Sequence, residues 1–89
     1  MEVKIDKSFQ KDTDRIHDKA ILKKIVETIN TVQNVNNIRQ IRNFKKLKGS
    51  QNNYRIRIKD YRIGVTVSGS TIEFIRCLHR KDIYKFFPK

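Results

Sequence analysis

The spacing of hydrophobic positions changes period once along the chain. Residues 1–6, MEVKID, alternate, with Val3 and Ile5 against Glu2, Lys4 and Asp6, which predicts a short strand. From Ser8 to about residue 34 the spacing becomes helical. Ser8 is an N-cap candidate, and Phe9 with Ile16 begins an apolar stripe. Asp18 is placed to cap a second helix. There Leu22, Ile25, Val26, Ile29 and Val32 recur at three- and four-residue intervals, and Lys19, Lys23, Lys24 and Glu27 fall on the opposite face. The pattern is that of a helical hairpin broken near His17–Asp18. The following block, VNNIRQIRNFKKLKGS, reads as a short further helix with Ile38, Ile41 and Phe44 or Leu47 inward, closed by Gly49 and the polar run SQNN.

From Asn53 onward the period is two. YRIRIK, YRIGVTV and TIEFIRCL are three strands, joined by a tight turn at Lys59–Asp60 and a second at SGS, residues 68–70. A two-residue turn at Lys59–Asp60 sets Ile58 opposite Tyr61, Arg57 opposite Arg62 and Arg55 opposite Gly64. Ile56, Ile58, Tyr61, Ile63, Val65 and Val67 then share one face, and Arg55, Arg57, Lys59 and Arg62 share the other. In the last strand Ile72 and Phe74 alternate with Glu73, but Ile75, Cys77 and Leu78 make it apolar on both faces, the mark of a strand inside its sheet. The tail HRKDIYKFFPK is basic and aromatic, with one or two helical turns before Pro88. No repeat or linker divides the chain, so residues 1–89 form one domain. The order β-α-α-β-β-β predicts an α+β fold: a small antiparallel sheet with a helical hairpin packed on one face and the first strand at an edge.

Charge sharpens this picture because it is uneven. The chain carries +12 in all; residues 1–37 hold seven Lys/Arg against six Asp/Glu, and residues 38–89 hold fourteen against three. The second half therefore carries the surface for a polyanion, and the first half is scaffold. A lone cysteine, Cys77, excludes an internal disulfide and a thiolate zinc site, and fits a small buried hydrophobe in a reducing compartment. No apolar run approaches the ~18 residues of a membrane span, and no signal-peptide pattern opens the chain. The expectation is a cytoplasmic protein with no membrane partner.

The cations of YRIRIKDYRIG gain nothing for the fold, since like charges directly opposite each other destabilise a strand pair. An anion between Arg57 and Arg62 would resolve the conflict, and Gly64 leaves space beside Arg55 for something to approach. Antiparallel pairing across SGS brings Cys77 near Arg62, so that His79 and Arg80 emerge beside the basic face and Tyr84 can fold back over it. Several arginines, one histidine and one tyrosine suit RNA cleavage without a metal. The 2′-hydroxyl loses a proton, the phosphorane is stabilised, and the 5′-oxygen gains a proton as it leaves; tyrosine can also stack on a base of single-stranded RNA. His17 has no evident partner and reads as structural. No paired-carboxylate site, Gly-rich phosphate loop, Ser-His-Asp arrangement or metal-ligand spacing is visible, so neither a cofactor nor a metal is expected.

The combination KKLKG, YRIRIKDYRIGVTV and IEFIRCLHRKDIYKFFP resembles the RelE/ParE superfamily of toxins from type II toxin–antitoxin systems, and within it the RelE-like messenger-RNA interferases. The likeness covers nearly the whole chain. It implies a ribosome-dependent endoribonuclease that cleaves messenger RNA in the ribosomal A site by metal-independent 2′-hydroxyl attack. The family's basic residues fall on Arg55 and Arg57, with Lys59 and Lys81 as further RNA-binding cations. Its arginines fall on Arg62 and Arg80, with His79 just before the latter, and its C-terminal tyrosine falls on Tyr84. Carried over, Arg62 and Arg80 stabilise the phosphorane, Tyr84 orients the nucleophile or stacks on a base, and His79 or Arg80 is the general acid. Arginine stands where some members carry lysine on the second strand. Because arginine is hard to deprotonate, the base is left open between His79 and a phosphate of the RNA. The tail stops soon after Tyr84, with no longer C-terminal helix. The resemblance also implies a cognate antitoxin with an acidic segment, the ribosome and messenger RNA as partners, and operator DNA only through the antitoxin complex. Two other functions share this fold or this charge: inhibition of DNA gyrase, as by ParE toxins, and non-catalytic binding of RNA.

Overall fold

The computed structural model describes residues 1–88, and its elements run β1 (Glu2–Ile5), α1 (Lys7–Asp14), α2 (Lys19–Asn34), β2 (Phe44–Lys46), β3 (Asn53–Ile58), β4 (Tyr61–Ser68), β5 (Thr71–His79) and α3 (Ile83–Phe86). The strands form one five-stranded sheet in the order β1-β5-β4-β3-β2. The expected α+β class, edge position of β1 and interior position of β5 all hold. Two features differ from the expectation. The sheet is mixed, because β1 runs parallel to β5 with Val3 opposite Ile72 and Ile5 opposite Phe74. A parallel neighbour requires a crossover of a dozen or more residues, and the chain between Asp6 and Ser70 supplies one. No helix among the described residues is long and apolar enough to cross a membrane.

The second difference is β2. Instead of a helix, residues 35–50 hold one 3-10 turn at Ile38–Gln40, capped by the Asn37 side chain accepting from the Arg39 amide at 2.9 Å. Asn43 then takes a left-handed backbone, φ 58°, which ends any right-handed helix and which asparagine tolerates better than most residues. Phe44–Lys46 pairs with β3, setting Phe44 opposite Ile56 and Lys45 opposite Arg55. Ile38, Ile41 and Phe44 still face the main core as expected, whereas Leu47 packs on the other side of the sheet.

The helical hairpin keeps its break. Asp6, not Ser8, caps α1, its carboxylate accepting from the Ser8 amide at 3.0 Å. Asp18 caps α2 as expected, accepting from Ala20 and Ile21. The buried stripe of α2 is Ile21, Ile25 and Val32, with Leu22 and Ile29 at its margins; Val26 lies outside it, 57% exposed. Against this stripe and Phe9 pack Ile56, Ile58, Ile63, Val65, Ile72, Phe74 and Cys77, with Phe9 meeting Phe74 edge-on at 5.4 Å.

β5 carries the irregularity that shapes the rest. Phe74 lies opposite Val65, but the next pair is Arg76 with Gly64, leaving Ile75 as an extra residue. Such a bulge shifts every later side chain to the other face. Cys77 therefore turns into the core opposite Ile63, and Leu78, not Cys77, stands opposite Arg62. β1 ends opposite Phe74, so the edge of β5 beyond it is met by α1. There the buried carboxylate of Asp12 accepts from Arg76 Nε at 2.7 Å, Arg76 Nη2 at 3.1 Å and the Cys77 amide at 2.9 Å. The bond to Asp12 holds the Arg76 guanidinium above its ordinary pKa, against the effect of its own burial. The outward residues of the bulged strand, Ile75 and Leu78, join Leu47, Ile83 and Phe87 in a second small core that seats α3 on the face away from the hairpin.

Two outcomes follow for stability. Asp12→Ala leaves a guanidinium and a backbone amide without their acceptor, and is expected to lower unfolding free energy by about 3 kcal/mol in urea titration. Burial pushes the Cys77 thiol from its ordinary 9.0 up to about 12. Below pH 9 both folded and unfolded states hold that proton; above it only the unfolded state ionises, so this contribution to stability declines from about pH 9 to about 12. The difference between wild type and Cys77→Ala in urea midpoint against pH is expected to show that decline.

Candidate functional site

On the outer face the cations stand in two rows across the strands. One row runs Lys45, Arg55, Gly64, Arg76, and the next runs Arg57, Arg62, Leu78. The β3–β4 register is the one the sequence predicts, with Arg57 directly opposite Arg62. The alternation of period two that puts Ile56, Ile58 and Ile63 in the core thus forces these arginines outward.

Arg55, Arg57 and Arg62 are held by neutral oxygens of the chain. Arg62 Nη1 donates to the carbonyls of Lys59 at 2.7 Å and Tyr61 at 3.0 Å, which draws it over the turn. Arg55 Nη1 donates to the Asn43 carbonyl at 3.0 Å, and Arg57 Nη2 to the Asn43 side-chain oxygen at 3.3 Å. Arg80 arrives through the backbone, its amide donating to the Asp60 carbonyl at 2.7 Å, with its guanidinium 3.9 Å from the Asp60 carboxylate. The Arg62 pKa is pushed below its ordinary value, first by desolvation and then by Arg55; Tyr84 opposes this, and Arg57 and Arg80 add to it. This is a site at positive potential, where a bound anion relieves repulsion as well as forming contacts.

Two clefts flank the arginines. One, of about 600 Å³, is bordered by Arg57, Lys59, Arg62 and Arg80 and walled by Lys24, Glu27 and Thr28 of α2. The other, of about 640 Å³, lies between Lys45, Lys46, Lys48 and Arg55 on one side and Tyr84, Phe87 and Pro88 on the other. Tyr84 is 60% exposed on α3, with Ile83 and Phe87 buried beneath as its anchors.

Of the residues singled out from sequence, Arg55, Arg57, Lys59, Arg62, Arg80 and Tyr84 gather around this face. His79 does not. The bulge turns it to the hairpin side, opposite Tyr61, where the rings meet edge-on at 5.9 Å beside Asp12, Arg15 and Asp82. The expectation that Cys77 lies near Arg62 and His79 beside the basic face assumes an unbroken register; with one added residue Leu78 stands opposite Arg62 and His79 turns to the hairpin side. Lys81 is exposed in the turn after β5 and lines neither cleft; its amide donates to His79 Nδ1 at 3.2 Å. The space expected beside Gly64 is filled by the chain itself, since a Cβ there would lie 2.5 Å from the Phe87 ring.

Sequence reasoning missed Asn43, Lys45 and Lys24. The run KKLKG holds the signal for Lys45, which became specific only once Phe44–Lys46 paired with β3. Helical spacing puts Lys24 on the face opposite the apolar stripe, and only the packing of α2 beside the β3–β4 turn makes it a wall of the cleft.

Residues 3–84 match the family described as the ParE toxin of the type II toxin–antitoxin system parDE. The chain is 45% identical over 90 residues to Toxin RelE3 of Methanocaldococcus jannaschii, covering 99% of this chain and all of that protein. Among solved structures, the RelB–RelE antitoxin–toxin complex from Methanococcus jannaschii matches with a TM-score of 0.82 and 44% identity, covering 96% of this chain and 99% of that one. The archaeal RelE–RelB complex from Pyrococcus horikoshii matches with a TM-score of 0.73 over 92% of this chain and 97% of that one; at 24% identity it speaks to fold alone.

Gly64→Ala forces the Phe87 ring to move, and overpacking of this kind costs about 2 kcal/mol. The expected result is a lower urea midpoint together with faster chymotrypsin cleavage after Tyr84 and Phe86, as α3 lifts from the sheet.

Proposed function

The chain belongs to the RelE-like toxins of type II toxin–antitoxin systems, and from that premise we propose that it is a ribosome-dependent endoribonuclease that cleaves messenger RNA in the A site. One observation carries this reading: four arginines, 55, 57, 62 and 80, and the exposed Tyr84 converge on one face, with Arg57 against Arg62 and each guanidinium of that pair hydrogen-bonded to neutral oxygens. Fixed cations of this kind stabilise a phosphorane through interactions stronger in the transition state than in the ground state.

In the proposed reaction the 2′-oxygen attacks the adjacent phosphorus while its proton passes to a phosphate oxygen of the RNA. A bond forms from the 2′-oxygen to phosphorus, and the bond from phosphorus to the 5′-oxygen breaks. The departing oxygen takes a proton from Arg80, which recovers one from the protonated phosphate oxygen, leaving a 2′,3′-cyclic phosphate and a 5′-hydroxyl. Arg62, with Arg55 and Arg57, neutralises the non-bridging oxygens. Tyr84 stacks on a base or orients the 2′-hydroxyl. The position of His79 on the hairpin side favours Arg80 over it for protonation of the 5′-oxygen. Lys59 and Lys45 hold flanking phosphates. The proposed partners are the ribosome and messenger RNA in the cytoplasm. A cognate antitoxin whose acidic segment covers the basic face is a further partner, and operator DNA is met only in that complex. The likeness to Toxin RelE3 and to the RelB–RelE antitoxin–toxin complex supports the antitoxin as partner.

Inhibition of DNA gyrase is the second reading, favoured by the ParE description of the matching family. Primer extension on messenger RNA in a reconstituted translation system separates the two. Discrete cuts in translated frames are expected, with Arg62→Ala slowing cleavage by roughly 10²–10³-fold and Tyr84→Phe also slowing it, neither with a fall in melting temperature. Intact RNA together with lost DNA supercoiling would overturn the nuclease reading. Salt-sensitive RNA binding with neither effect would leave only a binding module.

A further inference from the structure

We propose that Asn43 is the positioning residue of the basic face, an uncharged clasp that sets Arg55 and Arg57 while leaving their charge free for the RNA; this rests on the nuclease reading above. The residue lies on the connection into β2, outside the residues assigned to substrate, yet it borders the cleft that holds Arg57, Arg62 and Arg80. Its left-handed backbone, φ 58°, turns its carbonyl toward β3. That one oxygen accepts from the Arg57 amide at 3.1 Å and from Arg55 Nη1 at 3.0 Å. Its side-chain oxygen accepts from Arg57 Nη2 at 3.3 Å. A single residue therefore fixes the course of β2 beside β3 and the direction of two guanidiniums.

The chemistry of the acceptor matters. Arg55, Arg57 and Arg62 repel one another, so without partners their side chains spread into solvent, and cleavage would have to collect them again in each turnover. A carboxylate would gather them but would cancel the charge the phosphorane needs and compete with phosphate for Arg57. The two alternatives sit side by side here: Arg80 faces the carboxylate of Asp60, whereas Arg57 faces an amide. An amide oxygen accepts the bond and leaves the charge. Asparagine is also one of the few side chains at ease in a left-handed backbone, so both of its properties are used at once.

The test is a set of variants at position 43 measured by single-turnover cleavage of ribosome-bound messenger RNA. Asn43→Gly keeps the left-handed backbone and the carbonyl acceptor and removes only the amide. Its maximal cleavage rate is expected to fall roughly three- to tenfold, the size of one ordinary net hydrogen bond, with the half-saturating concentration and melting temperature unchanged. Asn43→Asp is expected to cleave more slowly still and to bind RNA with a shallower salt dependence, because one cation is withdrawn from phosphate. The deciding measurement is a double-mutant cycle. The Asn43→Gly loss should vanish when Arg57 is already alanine, and persist in full beside Arg80→Ala. Equal losses in both backgrounds, or Asn43→Gly cleaving as fast as wild type, would overturn the clasp while leaving the nuclease reading intact. Absence of cleavage by the wild type would overturn both.

Discussion

The carboxylate of Asp12 is buried where β5 changes register, and most of the architecture of the outer face depends on it. A buried charge must be paired and its oxygens satisfied. Asp12 meets this with both guanidinium bonds of Arg76 and the Cys77 amide. The contact joins α1 to the strand where β1 no longer covers it, and it holds the chain in the bulge that leaves Ile75 unpaired. After the bulge, Cys77 faces the main core while Ile75 and Leu78 face outward. Those two side chains help form the floor on which Ile83 and Phe87 rest, and Phe87 closes over Gly64. Arg76 itself lies beneath Phe86, 5.3 Å from its ring centroid. A carboxylate on the hairpin side thus governs the seat of the helix that carries Tyr84 on the far side.

The two faces of β3 and β4 divide stability from chemistry. Inward positions, Ile56, Ile58, Ile63 and Val65, are almost wholly buried, and their transfer from water stabilises the fold. Outward positions set cations against one another, which destabilises it. In a chain of 89 residues the margin is small. The chain limits the repulsion without cancelling the charge, by pointing carbonyl and amide oxygens of Lys59, Tyr61 and Asn43 at the guanidiniums. A phosphate can displace or supplement those neutral partners more readily than it could a carboxylate.

The hairpin of β3 and β4 was legible to the register, because alternation and a two-residue turn leave only one pairing that buries the isoleucines. Asp18 and the break before it were legible because capping is local. The last strand was recognised as apolar on both faces, but its bulge was not, since no residue in FIRCLH marks which position is the extra one. That omission carried His79 to the wrong face. The helix expected over residues 35–50 failed for a related reason: Ile38, Ile41 and Phe44 have the right spacing for a helix, but a left-handed Asn43 and an open edge of β3 made pairing the better use of the segment.

Local chemistry therefore determined much of this protein from its sequence alone: the uneven charge, the helical hairpin, the meander and the parity that places Arg55, Arg57 and Arg62 together. These follow from periodicity, capping and turn geometry, which act over a few residues. Tertiary structure alone decided the parallel course of β1, the strand pairing of Phe44–Lys46, the turn of His79 toward the hairpin side, the closure of Phe87 over Gly64 and the place of Lys24 in the cleft wall. Each of these depends on contacts between segments far apart in the chain, such as Asp12 with Arg76, whose energies no short window of sequence contains.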